Sequence, residues 1–171
     1  FDPMDLAIRK LGEEALKGTE HVHATWKVVR EYPLAKSLLA ISEVWSSPDN
    51  SKFVIASKGA PEAIASLCHL PDAEAAKLNE TVSQMADQGL RVLGVAMAEF
   101  DGPTLPDQQH DYPFEFLGLI ALADPVRPTV PEAVKECQTA GIRVIMITGD
   151  YPGTAISIAS QIGLESPGGA I

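Results

Sequence analysis

The sequence predicts an α+β domain, an antiparallel sheet flanked by helices, continued by a partial parallel α/β segment. Three observations predict it. Strand-like runs and helices share the first two thirds of the chain, with turn chemistry between them. From residue 114 the rhythm becomes strand–helix–strand–helix with short connections, the signature of a parallel sheet. Finally, "GIRVIMITGDYPGTAISIASQIGL" at 141–164 packs an apolar strand, a turn and a helix into one short stretch.

The elements follow in order. "FDPMDLAIRKLGEEALKG" reads as a helix, with Asp2 as cap, Pro3 in the first turn, Asp5 three residues after the cap and Gly18 as the stop. Ala7, Ile8, Leu11 and Ala15 give it an apolar stripe. Strands follow at 26–30, 37–45 and 52–57, and "SSPDNS" between the last two predicts a hairpin. "APEAIASLC" is a short helix opened by Pro61, and "DAEAAKLNETVSQMADQG" a longer one capped by Asp72 and ended by Gly89. "LRVLGVAMAEF" returns as a strand. The polar stretch 101–113, with three prolines, reads as a surface loop rather than a linker, since strand pattern resumes at once in "FEFLGLIALAD". The strand at 114–122 then leads to a helix at 131–140, a buried strand at 142–147 and a helix at 153–162.

Composition sets the outer bounds. A chain of 171 residues suits one domain or one domain plus part of another, and its 46% hydrophobic content supports a real core. No apolar run approaches the roughly 20 residues that span a bilayer. The opening on Phe1 shows no signal peptide and reads as a fragment, soluble by itself. A net charge of −10 argues against a nucleic-acid surface, which needs a basic stripe, but not against a nucleotide, which needs few cations and backbone N–H groups. Cys68 and Cys137 lack metal-ligand spacing, so a reducing, cytosolic setting fits, and His21 and His23 read as surface residues.

Several residues carry chemistry if their surroundings permit. Thr148, Gly149 and Asp150 end a strand of the parallel type, where open sheets place ligands; the competing reading is a capped strand–helix turn. "ALADPVRP" ends another strand with Asp124, stiffens its exit with prolines and places Arg127 to meet a carboxylate or phosphate, or to pair with Asp124. Lys58 and Gly59 stand at a strand end, where a lysine reaches a phosphate, stacks on a base or is merely solvated. Arg91 begins a strand after Gly89 and reads equally as a surface ion pair. Tyr32 is an aromatic before a proline, a packing residue or a base platform.

Their succession is more specific than any one of them. "DPMDLAI", "REYPLAKSLLAIS", "SKGAPE", "GLRVLGVA", "LGLIALADPVRP" and "GIRVIMITGDYPGTAISIA" in that order resemble the cytoplasmic part of P-type cation-transporting ATPases, most of all the calcium-pump-like branch and its bacterial relatives. The resemblance covers nearly the whole chain. It implies a nucleotide-binding domain over 1–115 and, over 116–171, part of a phosphorylation domain with a Rossmann-like, haloacid-dehalogenase-type fold. By motif it assigns Tyr32 to the adenine-stacking aromatic, Lys58 and Gly59 to the adenosine pocket, Arg91 to the phosphates and Asp5 to a place near the adenine. Lys36 is the cation it offers where Leu34 replaces a usual basic residue. Asp124 and Arg127 match a DPPR-type motif with Val126 for its second proline, and Thr148, Gly149 and Asp150 the TGD motif that faces the γ-phosphate and Mg²⁺.

The resemblance also implies what must come from elsewhere. The family's nucleophile is the Asp of DKTGT, and neither that motif nor the GDGxND magnesium-site motif occurs in these residues. The expected protein is therefore an ATP-binding fragment, inactive alone, of a membrane pump that faces the cytoplasm here. Its parent uses ATP and Mg²⁺ and supplies the rest of the phosphorylation domain, an actuator domain and transmembrane helices. Two other classes stay open: a stand-alone haloacid-dehalogenase-type phosphatase, disfavoured because no DxD or DxT nucleophile precedes the sheet, and a non-catalytic interaction module with a degenerate pocket.

Overall fold

The structure, a computed structural model, describes residues 3–19, 21–23 and 25–164. Helix α1 (Pro3–Ala15) leads to strand β1 (Lys27–Tyr32), followed by β2 (Ala40–Ser46) and β3 (Phe53–Gly59). Helices α2 (Pro61–Leu67) and α3 (Asp72–Ala86) precede β4 (Arg91–Phe100) and β5 (Glu115–Leu122), and α4 (Val130–Thr139) and α5 (Pro152–Gln161) close the order. The five strands form one antiparallel sheet in the sequence order β1-β2-β3-β4-β5.

The expected hairpin joins β2 to β3. Its turn is organised by Asp49, whose carboxylate accepts from Ser47 Oγ at 2.6 Å and from Ser51 N at 3.2 Å. Those hydrogen bonds, Ser47 first, hold the Asp49 carboxyl down to about 2.

Alternation along the strands separates two faces. On one, Ala40, Val44, Ile55, Ala96 and Ala98 are buried and pack with Ile64 and Leu67 of α2. A second patch gathers Ala65, Leu78 and Val82 under α3. The 101–113 loop is strapped to the first core through a buried polar cluster. Tyr32 donates its hydroxyl to the Pro106 carbonyl and lies 2.8 Å from the Tyr112 hydroxyl. Ser42 donates to Gln109 at 2.6 Å, and the Arg30 guanidinium lies 4.7 Å above the Tyr32 ring while donating to the Leu105 carbonyl. Burial, then the Tyr32 hydroxyl, push the Tyr112 phenol above its ordinary range.

The last third departs from the sequence expectation. The 114–122 run, read as the first strand of a parallel unit, is β5, and it pairs antiparallel with β4 from Arg91↔Leu122 to Met97↔Glu115. Residues 142–147 form no strand, and Ile142, Ile145 and Ile147 are exposed, Ile147 at 93%. Apolar periodicity describes a segment's willingness to be buried, whereas a parallel strand exists only between neighbours, and no described strand runs beside 142–147. The parallel Rossmann-like segment is thus not formed among the described residues. One cap also differs: α3 has Pro71 at its N-cap, with Asp72 inside the first turn where it meets the helix dipole. The expected cap Asp2 lies outside the described residues. The stop at Gly89 holds, with φ at +79°.

Tyr32→Phe would leave the buried Tyr112 hydroxyl and the Pro106 carbonyl each short of a partner. A loss of about 1–3 kcal/mol is expected from urea unfolding, with the native fold kept.

Candidate nucleotide cleft

Lys58 and its neighbours emerge on the second face of the sheet. Ser57 is buried beneath α2's side, so the next residue, Lys58, points the other way, paired in register with Ile41 on β2 and Val95 on β4. The chain then turns sharply. Ala60 N donates to the Leu39 carbonyl at 2.9 Å, and α2 starts immediately with Pro61. Gly59 permits this approach, since a Cβ there would lie 2.3 Å from the Leu39 carbonyl oxygen.

This turn forms one wall of a cleft of about 600 Å³. Met4 and Asp5 of α1 border it, as do Leu34, Leu39 and Ile41 before and on β2, and Arg91 and Leu93 on β4. Gly149, Asp150, Tyr151 and Thr154 face it from the start of α5. α5 is fastened there by Thr154 Oγ1, which donates to the Leu90 carbonyl at 2.9 Å, and by its packing on α3.

Two ion pairs line the cleft. Lys58 meets Asp5, and Arg91 Nη1 lies 3.7 Å from Asp150 Oδ1. The residues assigned from sequence to one ligand therefore do gather: Asp5, Lys58, Gly59, Arg91, Gly149 and Asp150 all face one cavity. Thr148 stands behind them and donates to Asp150 Oδ2 at 2.8 Å, while Asp150 N donates back to Thr148 Oγ1 at 3.1 Å. Asp150 is accordingly not the cap of α5; Tyr151 is the N-cap, without a side-chain cap bond.

Other assigned residues lie elsewhere. Tyr32 is 6% exposed in the core beside Tyr112 and does not line the cleft, because its position on β1 faces α2's side of the sheet. Lys36 is exposed at the tip of the turn between Ala35 and Leu38 and is not a lining residue. Asp124 and Arg127 are exposed beyond β5, away from the cleft, and no ion pair among the described residues joins them. The sequence reading missed Leu34 as a wall, and Leu39, Ile41 and Tyr151 as lining. The available signal was a large aliphatic on each side of the polar tip in "PLAKSLLA", unmatched by any strand alternation. Cys68 lies outside the cleft, and burial pushes its thiol up to about 11, so it supplies no ready thiolate.

A lysine–glycine strand end, an arginine at the next strand and a glycine–aspartate turn opposite thus line one cleft beside the antiparallel sheet. Comparison with known proteins agrees in family. Residues 2–129 match the family described as P-type ATPase, cytoplasmic domain N. Among curated proteins, the chain is 35% identical over 156 residues to the probable cation-transporting ATPase I of Mycobacterium leprae, covering 85% of this chain and 10% of that one. It is 32% identical over 186 residues to the sodium/potassium-transporting ATPase subunit alpha-A of Artemia franciscana, covering 98% and 19%. With the calcium-transporting ATPase of Bacillus subtilis it shares 28% over 181 residues, covering 99% and 20%. The chain belongs to the P-type ATPase family, in the region of its cytoplasmic domain N, and spans at most a fifth of the length of these relatives. No helix among the described residues is long and apolar enough to cross a membrane.

Gly59→Ala should disturb the junction of β3 and α2, since the added methyl meets backbone that cannot yield. A loss of about 1–3 kcal/mol in chemical denaturation is expected, with a shift of the β2 amides in an NMR fingerprint.

Proposed function

We propose that this chain is the nucleotide-binding part of a P-type cation-transporting ATPase, and that ATP binds in the cleft between β3, β4, α1 and the start of α5. The observation that supports it is the convergence of Lys58, Gly59, Arg91 and the Gly149–Asp150 turn, distant in sequence, on one cavity. Lys58 and Arg91 supply the positive charge that phosphates require in a chain of net charge −10. Each is paired with a carboxylate, so a phosphate exchanges for Asp5 or Asp150 rather than meeting a bare cation. That exchange limits the net gain, and affinity in the high-micromolar to millimolar range follows.

In this reading the pump continues outside these residues. Its membrane helices, actuator and remaining phosphorylation domain would move the ion, and an aspartate there would take the γ-phosphate in line. Because β5 is part of the antiparallel sheet, the nucleotide-binding domain would extend to Leu122, and the phosphorylation domain would begin with the Asp124–Arg127 stretch. Residues 142–147 would then be a strand of that second domain awaiting its neighbours. The Mg²⁺ of the family does not fit this chain alone: no three acidic, His or Cys side chains converge among the described residues, and Asp150 is held by Arg91.

Two measurements test the reading. ATP titrated by calorimetry or NMR should bind saturably and almost independently of Mg²⁺, and Lys58→Ala should weaken it several-fold by removing charge and alkyl stem together. No response up to tens of millimolar would refute the site. Separately, γ-³²P-ATP with Mg²⁺ should leave no hydroxylamine-sensitive label on the chain. Label abolished by Asp150→Asn would identify a complete catalyst instead.

A further inference from the structure

We propose that the nucleotide base rests on an aliphatic wall led by Leu34, so that the cleft holds nucleoside triphosphates with little choice among bases. This rests on the cleft being a nucleotide site and names what that site recognises. Leu34 is 59% exposed and Leu39 49%, and both line the cleft. They are set side by side by the Ala35–Leu38 bridge, whose reciprocal backbone hydrogen bonds measure 3.2 and 3.1 Å. Ile41 continues the wall on β2 directly beside Lys58 in register. Two large aliphatics held open to water at a cavity mouth form a surface that a flat apolar ligand face would cover.

The placement of charge orients the ligand. Arg91 and Asp150 mark the far side of the cleft, at the start of β4 and of α5, and Lys58 adjoins the aliphatic wall. Phosphates drawn to Arg91 leave the base toward Leu34, Leu39 and Ile41. Tyr32, the aromatic nearest in sequence, is committed to the core. The aromatic that does line the cleft, Tyr151, stands beside Asp150 on the phosphate side, with its hydroxyl 3.5 Å from Ser83 Oγ. An aliphatic wall offers contact area but no ring to stack on, so it distinguishes purine from pyrimidine weakly. The polar groups nearest the wall are Asp5 and Lys58, and an ionised Asp5 accepts equally from the exocyclic amine of adenine and of cytosine.

The test titrates ATP, CTP and inorganic tripolyphosphate into the intact chain and into Leu34→Phe, Leu34→Ser and Tyr151→Ala, with thermal melts to show that all fold. For the unaltered chain, ATP and CTP should bind within about threefold of each other. Leu34→Phe should tighten ATP by roughly fivefold, and CTP less, because a ring restores stacking. Leu34→Ser should weaken both, tripolyphosphate should bind all four proteins alike, and Tyr151→Ala should leave the ATP-to-CTP ratio unchanged. A preference for ATP over CTP of more than about tenfold, affinities indifferent to Leu34, or a base effect that follows Tyr151 would each overturn the aliphatic seat. Tripolyphosphate binding without any gain from a base would refute the seat while keeping a phosphate site. Failure of all three ligands would refute the nucleotide reading itself.

Discussion

The arrangement depends on bare backbone where β3 and β4 lie side by side. Gly59 and Gly94 are register partners. A Cβ on Gly94 would lie 2.9 Å from the Ile64 Cβ, and one on Gly59 would strike the start of β2. Their missing side chains let α2 sit directly on the sheet, with Ile64 fully buried, and let the chain turn from strand to helix without a loop. Lys58 inherits its position from that turn. It is the last side chain of β3 to point away from the core before the backbone reverses, and so it stands at the cleft wall.

The two faces of the sheet then divide the labour. One is sealed by α2, α3 and the strapped loop, through a polar cluster in which Tyr32, Tyr112, Ser42 and Gln109 satisfy one another. No buried side-chain nitrogen or oxygen among the described residues lacks a partner. A core closed in this way is rigid and specific but has no room for a ligand. The other face carries half-buried Ile41, Lys58, Leu93 and Val95, bordered rather than sealed by α1, none of whose described residues is buried. The cleft opens along this side and runs past the end of the sheet to Pro61 of α2 and to Val82 and Ala86 of α3.

Charge in the cleft is balanced residue against residue. Lys58 with Asp5 and Arg91 with Asp150 join parts of the chain far apart in sequence, and both pairs remain partly exposed, where solvent keeps their energy small. Pairs of that kind contribute little to stability yet keep cations in place within an acidic protein.

By itself the sequence determined what local forces decide. Helix stops at Gly89 and Gly141, the Pro61 start of α2, the hairpin at "SSPDNS" and the strands around it all rest on φ preferences, missing N–H groups and side-chain turns within a few residues. The ordered motifs likewise made Lys58, Gly59 and Arg91 legible as one set before any geometry. Only the tertiary structure decided where partners are non-local. The apolar run at 115–122 suits a parallel or an antiparallel neighbour equally, and β4 claimed it; the similar run at 142–147 found no neighbour and stayed unpaired. Tyr32 and Leu34 are two residues apart, yet one went to the core and the other to the cleft. That choice turns on which face of a five-stranded sheet is covered, a property of contacts between residues some 70 to 80 positions apart, such as Tyr32 with Pro106 and Tyr112, which no local pattern encodes.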